Sequence, residues 1–286
     1  IPGRPWRSYV HLAVKLRHTR GWRAERYSLR RPTRDDLFGV AGVSVHAPSG
    51  AATWISPRGE RPLGALDVHY LRQPGGGKLE ILADGTRIKW LFTVASTKEA
   101  AFARVELPAG TRRIELRATP PGEVRMFGVD LASGEDGVVV DTLGINGAQA
   151  ATVLEWNEEL AGRQLARLAP DLIVVAYGTN EVYASSMTRA RVAAAFDALL
   201  LRLRRQAPDA ACLVVGPPDH ARWIRGEGWT VPAKLDHIVA EQRRVARLRG
   251  CAFFNQRALM GGPGGVFTWA RSDPPLVRGD HIHLYA

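Results

Sequence analysis

The sequence predicts an α/β protein in two parts, an all-β sandwich followed by a parallel sheet with helices on both faces. Three observations carry this prediction. The first half contains short segments in which apolar and polar residues alternate between Gly, Pro and Asp turns. The second half alternates continuous apolar runs with amphipathic stretches of helical period. The composition, 45% hydrophobic and 23% charged over 286 residues, supplies ample apolar surface for a core and excludes a disordered or fibrous chain. The texture changes near Gly134 to Gly137, which sets expected domains of residues 1–136 and 137–286.

In the first part, residues 9–30 supply a possible strand pair around a break at Gly21. Leu66, Val68 and Tyr70 alternate with Asp67 and His69. Leu79 and Ile81 lead into an Asp84-Gly85 turn, after which Ile88, Trp90 and Phe92 share one face, and this pattern predicts a hairpin. Val105 and Leu107, a break at residues 108–110, then Ile114 and Leu116 predict a second hairpin, and residues 124–131 a further strand.

In the second part, the β-branched run Val138-Val139-Val140 before Asp141 predicts a short strand, and residues 148–168 a helical stretch. Residues 172–177 predict a strand apolar on both faces. A helix over 188–206 follows, with Val192, Phe196, Leu199, Leu200 and Leu203 on one stripe. Residues 213–215 predict a strand, Pro232 opens a helix that buries Leu235, Ile238, Val239, Val245 and Ala246, and residues 251–254 close the series. In such sheets ligands sit beyond the carboxyl ends of the strands, so chemistry is sought in the loops after Asp141, Tyr177, Val215 and Phe254.

The net charge of +11 raises nucleic-acid binding, but the arginines run from Arg4 to Arg278 in short clusters that decorate solvated helix faces. No nucleic-acid partner is predicted, and an acidic polymer such as a cell-wall or capsular glycan fits the charge somewhat better. The apolar run 172–177 is far too short to cross a bilayer. Cys212 and Cys251 each open an apolar run, where a thiol behaves as a small buried hydrophobe. The sequence opens on Ile1, and any start residue or export signal is expected to lie outside it.

The predicted loops hold Gly144-Ile145-Asn146-Gly147, Gly178-Thr179-Asn180-Glu181, Gly216-Pro217-Pro218-Asp219, and Gly279-Asp280-His281-Ile282-His283-Leu284. Together these motifs resemble the SGNH (GDSL-type) hydrolases over residues 137–286. The resemblance implies a flavodoxin-like parallel sheet of order 2-1-3-4-5. It also implies an ester-hydrolysing centre with His283 as general base, Asp280 as its orienting partner, and Gly147 and Asn180 as oxyanion donors. A hydroxyl becomes a competent nucleophile only when an imidazole takes its proton, and a carboxylate holds that imidazole in one tautomer. The oxyanion of the tetrahedral intermediate needs donors already in place.

Each residue also has a plainer reading. Asn180 after a strand caps turns, and Gly147 supplies a permissive backbone. His281 and His283, sharing a face if extended, form with Asp280 a candidate zinc set, while His281 otherwise reads as a solvated neighbour and His220 and His237 as surface or supporting residues. Trp156, Trp223 and Trp229 read as core or cleft wall.

The family's nucleophilic serine sits in a Gly-Asp-Ser block, and no serine of this chain, from Ser8 to Ser272, occupies one. Ser44, Ser185 and Ser186 do not follow a first core strand. The expectation is therefore that the first strand and its serine precede Ile1, and that residues 1–286 alone are inactive. The motifs Gly144 to Gln149, Gly178 to Glu181 and Gly261-Gly262-Pro263-Gly264, together with the β-rich half, resemble most the peptidoglycan O-acetylesterases of this clan, which carry an inserted carbohydrate-binding-like sandwich. That resemblance implies an acetylated polysaccharide as substrate, no metal or organic cofactor, a periplasmic or secreted location, and a sugar site lined by Pro263, Trp269 and Arg271. The alternatives are a non-catalytic glycan-binding protein with a degenerate hydrolase core, and a zinc hydrolase.

Overall fold

The structure, a computed structural model, describes residues 13–26, 35–134 and 136–285. The chain divides into two compact units. One runs to Ile145 and takes in Trp156–Gln164, and the other holds Asn146–Glu155 and the chain from Leu165 onward.

The first unit is built from β1 (Val14–His18), β2 (Arg23–Arg26), β3 (Val43–Ala47), β4 (Ala52–Pro57), β5 (Ala65–Arg72), β6 (Lys78–Ala83), β7 (Thr86–Phe92), β8 (Glu99–Glu106), β9 (Ile114–Thr119) and β10 (Val124–Ala132). They form two antiparallel sheets, β1-β4-β9-β6-β7 and β2-β3-β10-β5-β8. Leu79, Ile81, Ile114 and Ile55 from the first sheet pack against Leu66, Val68, Val124 and Met126 from the second. Each such side chain contributes about 1.5–3 kcal/mol when fully withdrawn from water.

The hairpin around Asp84-Gly85 forms as the sequence predicts, because both residues take positive φ, 47° and 88°, as a tight turn between twisted strands requires. The second predicted hairpin does not form. β8 pairs with β5 and β9 with β4 and β6, so residues 107–113 cross from one sheet to the other. The crossing is pinned by Leu107 N–H donating to Gly64 O (2.9 Å) and Leu63 N–H to Thr111 O (3.1 Å). Strands on facing sheets point their apolar residues at one core, so their alternation is the same as that of hairpin partners.

The predicted pair within residues 9–30 is corrected likewise, since β1 joins β4 and β2 joins β3; Tyr9, Val10 and Leu12 lie outside the described residues. β3 and β4 were not among the predicted strands, although Val43, Val45 and Ala47 of β3 alternate with Ser44 and His46. Ser44 is buried as a partner of the Arg125 Nε, and Arg125 in turn holds Asp35 through two bonds of 2.8 Å. Burial pushes the Asp35 carboxyl up, but the Arg125 and Lys98 hydrogen bonds and the Arg125 charge outweigh it and hold the group well below the usual range.

The remaining elements are α1 (Ala150–Leu154), α2 (Glu158–Leu168), β11 (Leu172–Val175), α3 (Arg189–Gln206), β12 (Ala211–Val215), β13 (Arg222–Ile224), β14 (Gly228–Thr230), α4 (Lys234–Leu248), β15 (Ala252–Phe254), α5 (Gln256–Leu259) and α6 (Gly265–Ala270). β11, β12 and β15 make a parallel sheet in that order. α3 is capped by Thr188, whose hydroxyl accepts from Arg191 N–H, and it buries Val192, Phe196, Leu199 and Leu200. These side chains join Val175, Val214, Leu235 and Ile238 in a single core cluster.

Two expectations fail in this region. Residues 138–141 form no strand, and Val138, Val139 and Val140 stand 91%, 85% and 80% exposed. A β-branched run stays a strand only where a neighbour takes up its backbone N–H and C=O groups, and no described strand pairs with it. The two cysteines are not free thiols. Cys212 lies within β12 beside Cys251, which leads into β15, and at a Cα separation of 4.7 Å they are joined as a disulfide.

Candidate active site

The loop after β11 is shaped by close approach. At Gly178 the backbone has φ +125°, and a Cβ there would lie 2.9 Å from Pro217 and 3.0 Å from the Gln242 amide, so only glycine fits. Gln242 Nε2 donates to Tyr177 O at 2.7 Å and fixes the loop from α4. The buried Glu181 carboxylate accepts from Gly178 N–H (2.9 Å) and from Ala150 N–H (2.8 Å), where α1 begins. Burial pushes its pKa up, against the pull of those amides. Its charge adds to burial in raising the Tyr177 phenol to about 12, which keeps that hydroxyl neutral.

The same loops exchange two more bonds. Asn180 Nδ2 donates to Ala148 O at 2.8 Å, and Gln149 Nε2 donates to Asn180 O at 3.2 Å. The side-chain amide of Asn180 is thereby held next to the segment Gly147-Ala148, and of its two N–H groups one goes to Ala148 O among the described residues. Gly147 is exposed at φ +81°, a left-handed backbone that a side chain would strain.

The chain terminus folds into a tight turn between Val277 and Leu284, with Arg278 N–H donating to His283 O and His281 N–H to Arg278 O. Inside it, one Asp280 oxygen accepts from the Ile282 and His283 amides at 3.0 Å, and the other meets His283 Nδ1 at 2.7 Å. Burial acts to raise the Asp280 pKa, but the His283 amide and ring and the Ile282 amide prevail and hold it at about 2. A carboxylate ionised throughout the neutral range keeps the proton on Nδ1 of the neutral ring and turns the Nε2 lone pair outward. His283 is well placed to use it, since its side chain is 68% exposed.

The Tyr183 phenol, whose ring packs 5.6 Å from that of His220, is raised mainly by burial, with the Arg222 charge acting against that rise and the Asp280 carboxylate adding to it. The turn is docked by Ala221 N–H donating to His281 O at 2.9 Å, and by Val277, buried with Ala221, Met260 and Val266.

Asp219 was visible in the sequence only as the end of a loop. It is fully buried, with Arg257 Nε at 2.8 Å and the Gly264 and Val266 amides at 3.0 and 3.1 Å, so it fastens the Gly261–Gly264 loop to the strand end. Arg257 completes the arrangement by bonding Asp236. Its distance of 38 positions from Asp219 left no local signal. Pro263 lies in that loop, Trp269 packs on the cluster of Ala221, Met260, Val266 and Val277, and Arg271 caps α6 on the surface.

Of the two readings offered for His220, surface or supporting residue, its complete burial excludes the first, and desolvation lowers its pKa. His281 is not a solvated neighbour, because its ring packs 4.3 Å from Trp229 and 5.6 Å from Phe267. It sits at φ 52° in a turn, so it does not share an extended face with His283, and among the described residues no three His, Cys, Asp or Glu groups converge as a metal site would need. His237 is exposed on α4.

The family model of the GDSL-like lipases and acylhydrolases matches residues 110–286. The chain belongs to the GDSL-like lipase/acylhydrolase family. Membership makes carboxylic ester hydrolysis the coarse activity of this acylhydrolase. Its fold is that of an SGNH hydrolase with an added β-sandwich, superposing on a peptidoglycan O-acetylesterase at TM-score 0.78 and 21% identity, over 98% of this chain and 74% of the other. Two lesser likenesses are a lipase/acylhydrolase from Enterococcus faecalis (TM-score 0.35, 14% identity, 48% and 63% covered) and an acetyl xylan esterase (TM-score 0.38, 16% identity, 50% and 71% covered). No curated protein matches the acylhydrolase.

Proposed function

We propose that the protein removes O-acetyl groups from a bacterial polysaccharide, peptidoglycan being the foremost candidate, through an acyl-enzyme. The observation that carries this reading is the Asp280–His283 contact of 2.7 Å, with the other carboxylate oxygen saturated by two amides and the far ring nitrogen open. In this reading His283 takes the proton of a serine hydroxyl and later returns it to the sugar oxygen as the acetyl group is transferred. Asn180 Nδ2 and the backbone N–H at Gly147 bind the oxyanion. Water then attacks the acyl-enzyme with His283 again as base, releasing acetate.

The serine is supplied by a segment outside residues 1–286, and the open edge of β11 supports that reading because β11 pairs only with β12 among the described strands. The same reading gives residues 1–286 alone no turnover. Export fits the Cys212–Cys251 disulfide, since such bonds persist in oxidising compartments. The sandwich, residues 1–136, serves as a glycan-binding module and residues 137–286 as the hydrolase core.

The test is acetate release from O-acetylated peptidoglycan by the full-length protein and by its His283→Ala variant. The wild type releases acetate and the variant loses at least about 10⁴-fold in turnover. A variant with retained turnover overturns the mechanism. A wild type that binds the glycan and releases nothing identifies a glycan-binding protein instead.

A further inference from the structure

Between Asp219 and α4 the chain makes a short antiparallel hairpin of β13 and β14, in which Trp223 stands directly opposite Trp229. Their rings meet edge to face at 5.6 Å. A cross-strand aromatic pair stabilises a two-stranded hairpin that is marginal by itself, yet this one leaves its rings in solvent: Trp223 is 64% exposed and Trp229 37% exposed. Its location is specific. Trp229 packs on His281, the residue that follows Asp280 and lies two before His283, and the base of the hairpin donates from Ala221 N–H to His281 O. Arg222, at the start of the hairpin, and Asp280, in the dyad, both act on the Tyr183 phenol, which stands three residues beyond Asn180. The exposed rings are thus continuous with the candidate catalytic turn, and Arg222, Arg225 and Glu227 give them a polar rim.

We propose that the Trp223–Trp229 face is a subsite for a pyranose ring of the glycan chain, placed beside the sugar that carries the ester. The inference rests on the esterase reading given above and adds to it the element that selects a polymeric sugar substrate. A pyranose offers a flat patch of C–H groups that lies on an indole face, while its equatorial hydroxyls remain at the edge for charged and polar neighbours. A small ester lacks that ring and gains nothing from the face. Trp223 is the positioning element for the glycan, and Trp229 also supports His281 from behind.

The experiment compares Trp223→Ala and Trp223→Phe with wild type in the full-length protein, on O-acetylated peptidoglycan and on p-nitrophenyl acetate. Trp223→Ala raises KM for the glycan about tenfold while kcat/KM on p-nitrophenyl acetate stays within about twofold, and Trp223→Phe recovers most of the loss. An unchanged KM on the glycan, or an equal loss on both substrates, overturns the subsite. If the wild type hydrolyses neither substrate, the esterase reading fails on its own. The subsite is then decided by calorimetric titration with soluble peptidoglycan fragments: a Kd weakened about tenfold in Trp223→Ala upholds it, and unchanged or undetectable wild-type binding overturns it.

Discussion

Val68 and Val174 are the same residue in two different sheets. Val68 sits in β5 with strands on both sides and a second sheet across its face, and it is 0% exposed. Val174 sits in β11 with one described neighbour, and it is 52% exposed, as is Leu172 on the same face. The sandwich encloses the inner faces of its two sheets, whereas among the described strands β11 keeps one edge unpaired and leaves Leu172 and Val174 half exposed. The region that carries the candidate chemistry is therefore held less by strand pairing than by specific polar contacts between its loops.

That contrast is open to direct attack, starting with the strongest of those contacts. Arg257→Ala leaves the Asp219 carboxylate buried without its cation, and a loss of about 3–5 kcal/mol is expected in chemical denaturation of the full-length protein. A loss below about 1 kcal/mol would show that the loops around Asp219 do not depend on this ion pair. Weaker, but sharper as a comparison, is one truncation placed in both sheets. Val68→Ala removes buried carbon from a closed core and costs about 2 kcal/mol, while Val174→Ala on residues 1–286 costs less than about 0.5 kcal/mol. Equal costs would mean that the face of β11 is covered in solution.

The same contrast explains what was legible in the sequence. Elements whose partners are local wrote themselves plainly: the Asp84-Gly85 hairpin, the α3 stripe, and the Asp280–His283 turn, whose members are three residues apart. Elements that depend on distant partners did not. The crossing at residues 107–113 has the alternation of a hairpin, and the valines at 138–140 have the composition of a strand, yet pairing and not composition decides both. The disulfide joins positions 39 apart that become neighbours only when β12 and β15 align. Asn180 was noticed for its motif, but its contact with Ala148 and the Glu181 bridge to α1 needed the fold. Trp223 and Trp229 read as core or cleft wall, and only their exposure set them apart from the core.

In the proposed mechanism Asn180 and His283 act upon a single ester. The most direct test is the steady-state kinetics of Asn180→Ala in the full-length protein on p-nitrophenyl acetate. The account predicts a fall in kcat of about 10²- to 10³-fold with KM within about twofold, as befits a donor engaged only in the transition state. A kcat equal to wild type would contradict it.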